Sequence, residues 1–308
     1  MVSSKIAPPS IMVCGNPTID ELEVGKTTRK SPGGSALFAS CAAAYLGSRV
    51  GVLGNIGEDY PIATLRVLKA HELETPLLRR IGKRSTRFRI SQINGTRRIR
   101  LIDPGVGIRA PALRHRFQGI HLGPVFNEIS GHLVKTLRQR CDFLSADLQG
   151  FIRARSSDGQ VRVISRDLRV LFSKCNMVQA SIDEASLQTH STSPQRMLAR
   201  FLAFKAKFVL ITMGERGSWL GVQDGRRFHV PAFHDEETRD STGSGDVFAG
   251  SWLHTYLTTE DPIWASAVGS AFASLASRRT GLAKFGIRRT ELFQRSSWVF
   301  RHIRAARS

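Results

Sequence analysis

From Gly119 to Thr212 the chain reads Gly119-Ile-His-Leu122, a helix-length stretch over 127–139, Phe143-Leu-Ser-Ala-Asp147, an apolar run near 175–180, a second helix-length stretch over 194–205, and Phe208-Val-Leu-Ile-Thr212. Short apolar runs alternating with longer segments of helical period call for repeated βα units, whose strands are buried on both faces. The predicted fold class is α/β: three layers, α/β/α, around a central, mainly parallel sheet. Ligands of such sheets sit beyond the carboxyl ends of the strands.

Towards the N-terminus, Ile11-Met-Val-Cys14 reads as a first buried strand stopped by the turn formers Gly15-Asn16-Pro17. Pro32-Gly33-Gly34 opens a helix over Ser35 to Leu46, closed by Gly47, and Val50-Gly-Val-Leu53 is the next strand. Residues 86–102 alternate apolar and basic side chains around Asn94-Gly95, which predicts a hairpin. With the polar, basic segment before the first helix, it predicts a small β lid built from about 17–32 and 85–103, inserted in one domain spanning 1–308.

Composition narrows the functional classes. A chain of 308 residues, 41% hydrophobic and 23% charged, is ordinary for a globular protein and excludes disordered, collagen-like and coiled-coil chains. Its 45 Lys and Arg against 25 Asp and Glu give a net charge of +20 and a pI near 11.0, an excess that raises a nucleic-acid or anionic-membrane partner. The excess is local. Residues 79–116 hold twelve bases and one acid, residues 278–308 nine bases and one acid, and the remainder 24 bases and 23 acids. Either the lid arginines draw a phosphorylated ligand towards the cleft, or they form a solvated face. Cys14, Cys41, Cys141 and Cys175 show neither a CxxC pair nor zinc spacing and read as buried thiols in a reducing compartment. With no long apolar run and no leader-like N-terminus, the expected location is cytoplasmic, without a membrane partner.

Asp240-Ser-Thr-Gly-Ser-Gly-Asp246 precedes an apolar run beginning Val247-Phe-Ala-Gly250. Glycines let a backbone approach a ligand, and free N–H groups with the helix dipole favour an anion, naturally a phosphate. A carboxylate in the first turn is placed to take a proton from a hydroxyl attacking a phosphoryl group held there. Spacing alone leaves an alternative equally open: a glycine-rich turn in which Asp246 only caps the helix.

In that segment the chain resembles the C-terminal signature of the ribokinase-like, phosphofructokinase B (PfkB) family of small-molecule kinases. The resemblance continues in order over residues 11–285. Gly15 to Asp20 is similar to the family's first strand and substrate-binding Asp, Gly33-Gly34 to its N-terminal di-glycine, and Val50 to Asp59 to the following strand and turn. Ile211-Thr-Met-Gly-Glu-Arg-Gly217 resembles its nucleotide-side turn. The resemblance implies a ribokinase-like fold with Asp246 as catalytic base and Thr242, Gly243, Ser244 and Gly245 as the anion hole. It implies Asp20, Gly33 and Gly34 as substrate contacts and Thr212, Gly214 and Gly217 on the nucleotide side. It further implies ATP as phosphoryl donor and Mg2+ as cofactor, the metal organised indirectly by Glu184. There are two departures. Ser181 stands where Asn or Asp is usual before that glutamate, and Leu37-Phe38 replaces the Asn expected after the di-glycine, which argues against ribokinase or fructokinase specificity.

Phe143 to Arg153, with Asp147, Gln149 and Arg153 as its implied substrate contacts, resembles the D-x-Q-G-x-x-R stretch of the inositol kinase branch, including myo-inositol 3-kinases. Gln149 can donate to and accept from ring hydroxyls, and Arg153 can meet a phosphate oxygen; alternatively, Asp147 and Gln149 only tie the strand end to the next loop. The implied activity is transfer of the γ-phosphoryl of ATP to a hydroxyl of a polyol or sugar, myo-inositol foremost. A nucleoside kinase, another sugar kinase of the family, and an anion- or nucleic-acid-binding protein on a kinase scaffold are the alternatives, nucleic acid not being the expected partner. The lid admits a monomer or a homodimer. Three other motifs fail: Gly25-Lys26-Thr27 lacks the upstream glycine of a P-loop, Gly105-Val-Gly107 runs into Pro111, and His71-Glu72 has no second histidine. Met177 and Met213 read as core rather than ligands.

Overall fold

The structure, a computed structural model, describes residues 10–24, 27–93 and 96–306; the expected Asn94-Gly95 turn and Gly25-Lys26 lie outside the described residues. The first elements are β1 (Ile11–Cys14), β2 (Thr18–Val24), β3 (Thr27–Gly33), α1 (Ser35–Leu46), β4 (Val50–Ile56), α2 (Ile62–Ala70), β5 (Leu78–Arg80), β6 (Arg87–Ile93) and β7 (Thr96–Asp103). Then come β8 (Phe117–Leu122), α3 (Gly131–Arg138), β9 (Cys141–Asp147), β10 (Arg153–Arg155), β11 (Val161–Val163), α4 (Arg169–Phe172), β12 (Met177–Ser181), α5 (Ile182–Thr189), α6 (Pro194–Leu202) and β13 (Phe208–Thr212). Last are β14 (Ser218–Val222), β15 (Arg227–Val230), α7 (Ser244–Thr259), α8 (Pro262–Ser277), α9 (Arg289–His302) and β16 (Arg304–Ala305).

Ten strands form the main sheet in the order β16-β15-β14-β13-β12-β9-β8-β1-β4-β5. Every pair from β13 to β5 is parallel, as the alternation predicts, and only β14, β15 and β16 join antiparallel. Successive strand residues face opposite sides, so Ile11 and Val13 enter a core shared with α1, α7, α8 and α9, while Met12 and Cys14 enter one shared with α3, α5 and α6. These two cores make the three layers. The four cysteines are free and buried. β1 lies between β4 and β8, so the strand order reverses at β1, and the crevice beyond its carboxyl end is where such a sheet takes a ligand.

A second sheet, β3-β2-β6-β7, is built from the two segments expected to form the lid, with β2 and β6 parallel and the outer pairs antiparallel. Two helices are shorter than expected. The one read over 127–139 begins only at Gly131, because Ser130 caps it, accepting from the Leu133 N–H at 3.2 Å. Glu128 is drawn the other way, its carboxylate accepting from the N–H groups of Asn16, Val125 and Phe126 at 3.1, 2.7 and 2.7 Å. The helix read over 194–205 stops at Leu202, with Lys205 in the left-handed region at φ 74. α1 and α7 lie in close contact because Gly250 brings the α7 backbone onto α1: a Cβ at Gly250 would stand 2.1 Å from the Ala39 carbonyl oxygen.

Candidate active site

Where the segment after β1, the N-termini of α1 and α7 and the lid meet, the structure encloses a cavity of about 90 Å3. Thr18, Asp20, Ser35, Gln149, Arg153 and Asp246 supply its polar wall; Phe38, Val125 and the lid residues Phe88, Ile90 and Ile99 supply an apolar one. The Thr18 hydroxyl donates to Asp20 Oδ1 at 2.7 Å. Gly33 does not itself line the cavity but makes room for that carboxylate, since a Cβ there would stand 2.1 Å from Asp20 Oδ2. Gly34, on the wall, opens α1 at φ 97. Arg153 donates to the Val125 carbonyl at 3.0 Å and lies over the Phe88 ring, 5.7 Å from its centroid.

Asp246 occupies the first turn of α7. Burial pushes its carboxyl up to about 6; the Glu184 and Asp20 carboxylates add to the rise, and the Ser35 hydroxyl and the Arg153 guanidinium oppose it. In the preceding turn, Asp240 Oδ1 accepts from the Thr242 N–H at 2.9 Å and the Ser244 N–H is taken by the Ser241 carbonyl at 3.1 Å. Gly243 adopts φ 77 with Phe38 packed against it, a Cβ there meeting the ring at 2.5 Å. Among the described residues, the N–H groups of Gly243, Gly245 and Asp246 have no protein acceptor. Open donors at a helix N-terminus form an anion site. Of the expected anion hole, then, Thr242 and Ser244 use their N–H groups to shape the turn, and the glycines leave theirs open.

Behind this turn lies a larger cavity of about 390 Å3, within the ~300–1,000 Å3 typical of small-molecule sites. Thr212, Gly214 and Gly217, the residues that the resemblance puts on the nucleotide side, line it together with Ser244 and Gly245. A single turn of backbone thus separates two cavities, Gly243 and Asp246 facing the smaller and Ser244 and Gly245 the larger.

Asp147 and Glu184 line neither cavity. Asp147 Oδ1 accepts from the Gln149 N–H at 2.8 Å and Oδ2 from Gln179 Nε2 at 3.0 Å, while the same Gln179 nitrogen donates to the Gly245 carbonyl at 2.8 Å. Asp147 therefore braces the turn at 243–246 from behind, away from the cavity wall where the sequence reading put it. Gln179, absent from the sequence reading, is its bridge; one polar residue in a buried strand carries no local signal of such a role. Glu184 caps α5, Oε2 accepting from the Ser181 N–H at 2.8 Å and the Ser181 hydroxyl accepting from the Glu184 N–H at 3.3 Å. No three His, Cys, Asp or Glu side chains among the described residues converge as a metal cage. Even so, burial lifts Asp147 well above the usual carboxylate range, and Glu184 and Asp246 add to the rise. A hydrated Mg2+, held largely through water and phosphate oxygens, would relieve that crowding and favour the ionised carboxylates.

A buried carboxylate beside open backbone donors, with a small cavity on one side and a larger one on the other, suits a phosphotransferase that acts on a hydroxyl. Residues 10–287 match the pfkB family carbohydrate kinases, and the chain belongs to that family. A cytidine kinase of Thermococcus kodakarensis is 26% identical over 257 residues, 80% of this chain and 88% of that one. A pyrophosphate-dependent kinase of the ribokinase family, solved with a pyrophosphate analogue and myo-inositol, superposes with a TM-score of 0.78 at 20% identity, covering 92% of this chain and 99% of that one. Arabidopsis thaliana ribokinase, solved with ribose and ATP, superposes with a TM-score of 0.74 at 16% identity, covering 94% and 99%. The fold is ribokinase-like. No helix among the described residues is long and apolar enough to cross a membrane.

Proposed function

We propose that the chain transfers the γ-phosphoryl group of ATP to a hydroxyl of a compact, single-ring polyol, myo-inositol foremost. The observation that carries this reading is the turn at 243–246, which presents one face to each cavity. An acceptor hydroxyl beside Asp246 and a terminal phosphate on the open N–H groups then meet across one turn, the positioning that phosphoryl transfer needs. Asp246 takes the proton as the hydroxyl oxygen bonds to the γ-phosphorus, the γ-phosphorus–oxygen bond to the β-phosphate breaks and ADP leaves, while the N–H groups of Gly243, Gly245 and Asp246 meet the charge developing on the phosphoryl oxygens. Asp20 and Gln149 orient the remaining hydroxyls. Mg2+, gathered beside Asp147 and Glu184, would neutralise phosphate charge.

The small acceptor cavity supports a single ring. ATP, in preference to pyrophosphate, is supported by the donor cavity, whose walls of Phe233, Ser270, Ala273 and Ser274 offer space beyond the anion hole that a pyrophosphate would leave empty. A second reading, a nucleoside as acceptor, is favoured by the apolar lid wall of Phe88, Ile90 and Ile99, on which a base can lie, and by the cytidine kinase relative. The test screens myo-inositol, pentoses, hexoses and nucleosides with ATP or pyrophosphate as donor, following ADP release and phosphorylated product. Turnover with ATP and myo-inositol is expected. Turnover confined to nucleosides selects the second reading, and turnover confined to pyrophosphate overturns the donor assignment.

A further inference from the structure

We propose that Lys284 is a positioning residue for phosphoryl transfer, its buried ammonium fixing the anion-hole turn against the C-terminal end of α8; the inference rests on the kinase reading above. Lys284 lies in a one-turn helix, Gly281–Phe285, packed on α1, α8 and β3, and its side chain is 0% exposed. Its Nζ donates to the Asp240 carbonyl at 2.5 Å and to the Ala276 carbonyl at 3.3 Å, and stands 3.5 Å from Asp240 Oδ2. An ammonium is costly to bury unless it is paired and hydrogen-bonded. Burial pulls Lys284 below the ordinary lysine range, with the Asp240 carboxylate opposing.

The partners of that ammonium explain its place. Ala276 lies in the last turn of α8, where carbonyls lack intrahelical partners and the helix dipole favours a cation. Asp240 opens the anion-hole turn: while one carboxylate oxygen faces Lys284, the other accepts from the Thr242 N–H. The N–H groups of Arg239 and Asp240 both donate to the Ser277 carbonyl at 2.9 Å, and the Ser244 and Ser277 hydroxyls are hydrogen-bonded at 2.8 Å. The ties between the turn and α8 therefore converge on residues 276–277, and Lys284 adds a positive charge to them. Lys284 lines neither cavity, so it acts through the turn and not on the reacting atoms.

Lys284→Met, Lys284→Gln and Lys284→Arg are compared with the wild-type protein for kcat, acceptor KM, and the rise in thermal midpoint caused by inorganic tripolyphosphate. Lys284→Met is expected to lower kcat roughly thirty-fold or more, with acceptor KM within about threefold, and to lose the tripolyphosphate shift. Lys284→Arg, which keeps the charge, is expected to recover kcat to within roughly fivefold of wild type. A folded Met or Gln variant with wild-type kcat and an undiminished tripolyphosphate shift, its only change a lower midpoint, overturns the proposal. Should both neutral variants fail to fold, Asp240→Asn decides, because it removes the charge facing Lys284 yet keeps an oxygen for the Thr242 N–H; an unchanged kcat and shift there also overturn it. A wild-type protein with no turnover on any acceptor refutes the kinase reading, and the tripolyphosphate shifts still decide whether Lys284 sets the anion hole.

Discussion

Asp246 meets two opposed demands. As the proposed base it must be ionised, yet burial holds its carboxyl up to about 6 against a usual 3.8, so the folded chain keeps a proton that the unfolded chain releases. The stability this group contributes is full below pH 3.8 and lost as pH rises through about 6. At pH 7 its ionised form costs about 1–2 kcal/mol, a figure reduced for the partial exposure of the side chain. Asp246→Asn is therefore expected to lower kcat about 10²–10⁴-fold while raising the thermal midpoint at pH 7, a gain that disappears at pH 4. Undiminished ADP release by that variant would refute the base. In the wild-type protein, kcat/KM should fall as pH drops through about 6. Gln149→Ala, by contrast, removes uniform binding, and acceptor KM should rise about 5–10-fold with kcat nearly unchanged; an unchanged KM would return Gln149 to a purely structural role. The sequence brings Asp246, Asp20, Gly34 and Gly243 forward as candidates because each sits in a local pattern with its own chemistry, and the structure places them around one cavity. The tie from Asp147 to the Gln149 loop is one of the two readings the sequence leaves open, but its bridge through Gln179 is not legible, because Gln179 lies 32 residues away and the Gly245 carbonyl a further 66 beyond Gln179.

The helices show the same division between local and distant causes. α1 has the boundaries the sequence predicts, since Gly34 and Gly47, both at positive φ, close it at either end. The start of α3 differs from the predicted one because what removes Glu128 from the helix is a set of backbone donors that includes Asn16, 112 residues earlier. The antiparallel edge of β14, β15 and β16 carries no periodicity that would separate it from parallel strands. The contact that aligns α1 with α7 is legible only as a composition of small residues until Gly250 is found against Ala39. Gly250→Ala is expected to force the two helices apart at a cost of about 1–3 kcal/mol, lowering the midpoint by several degrees. Because Ser35 and Asp246 stand at the N-terminal ends of those helices, kcat should fall with it. An alanine variant with wild-type midpoint and kcat would show that the helix contact does not set the site.

At the scale of the whole molecule, the net charge of +20 is carried away from the chemistry. Ile90, Ile99 and Phe88 turn towards the acceptor cavity, so strand alternation sends Arg87, Arg89, Arg98 and Arg100 to the outer face of the lid. There Arg87 and Arg89 pair with Glu21, Glu23 and Asp59, and Arg98 and Arg100 are exposed. In the second basic stretch, Arg278 and Arg295 are engaged by Asp235 and Glu291. Among the described residues, no Lys or Arg lines the larger cavity, the proposed donor site. Of the two readings left open by the sequence, the geometry favours the solvated face. Long-range attraction of ATP by such a face would be visible only while the Debye length is long, about 30 Å at 10 mM salt against about 8 Å at 150 mM. Replacing Arg98 and Arg100 together by Gln should leave the KM for ATP within about twofold of wild type at both ionic strengths, because charges on the far side of the lid add little to the field in the cleft. A fivefold or greater rise at 10 mM that closes at 150 mM would reinstate steering, and with it a functional reason for the arginines of the lid.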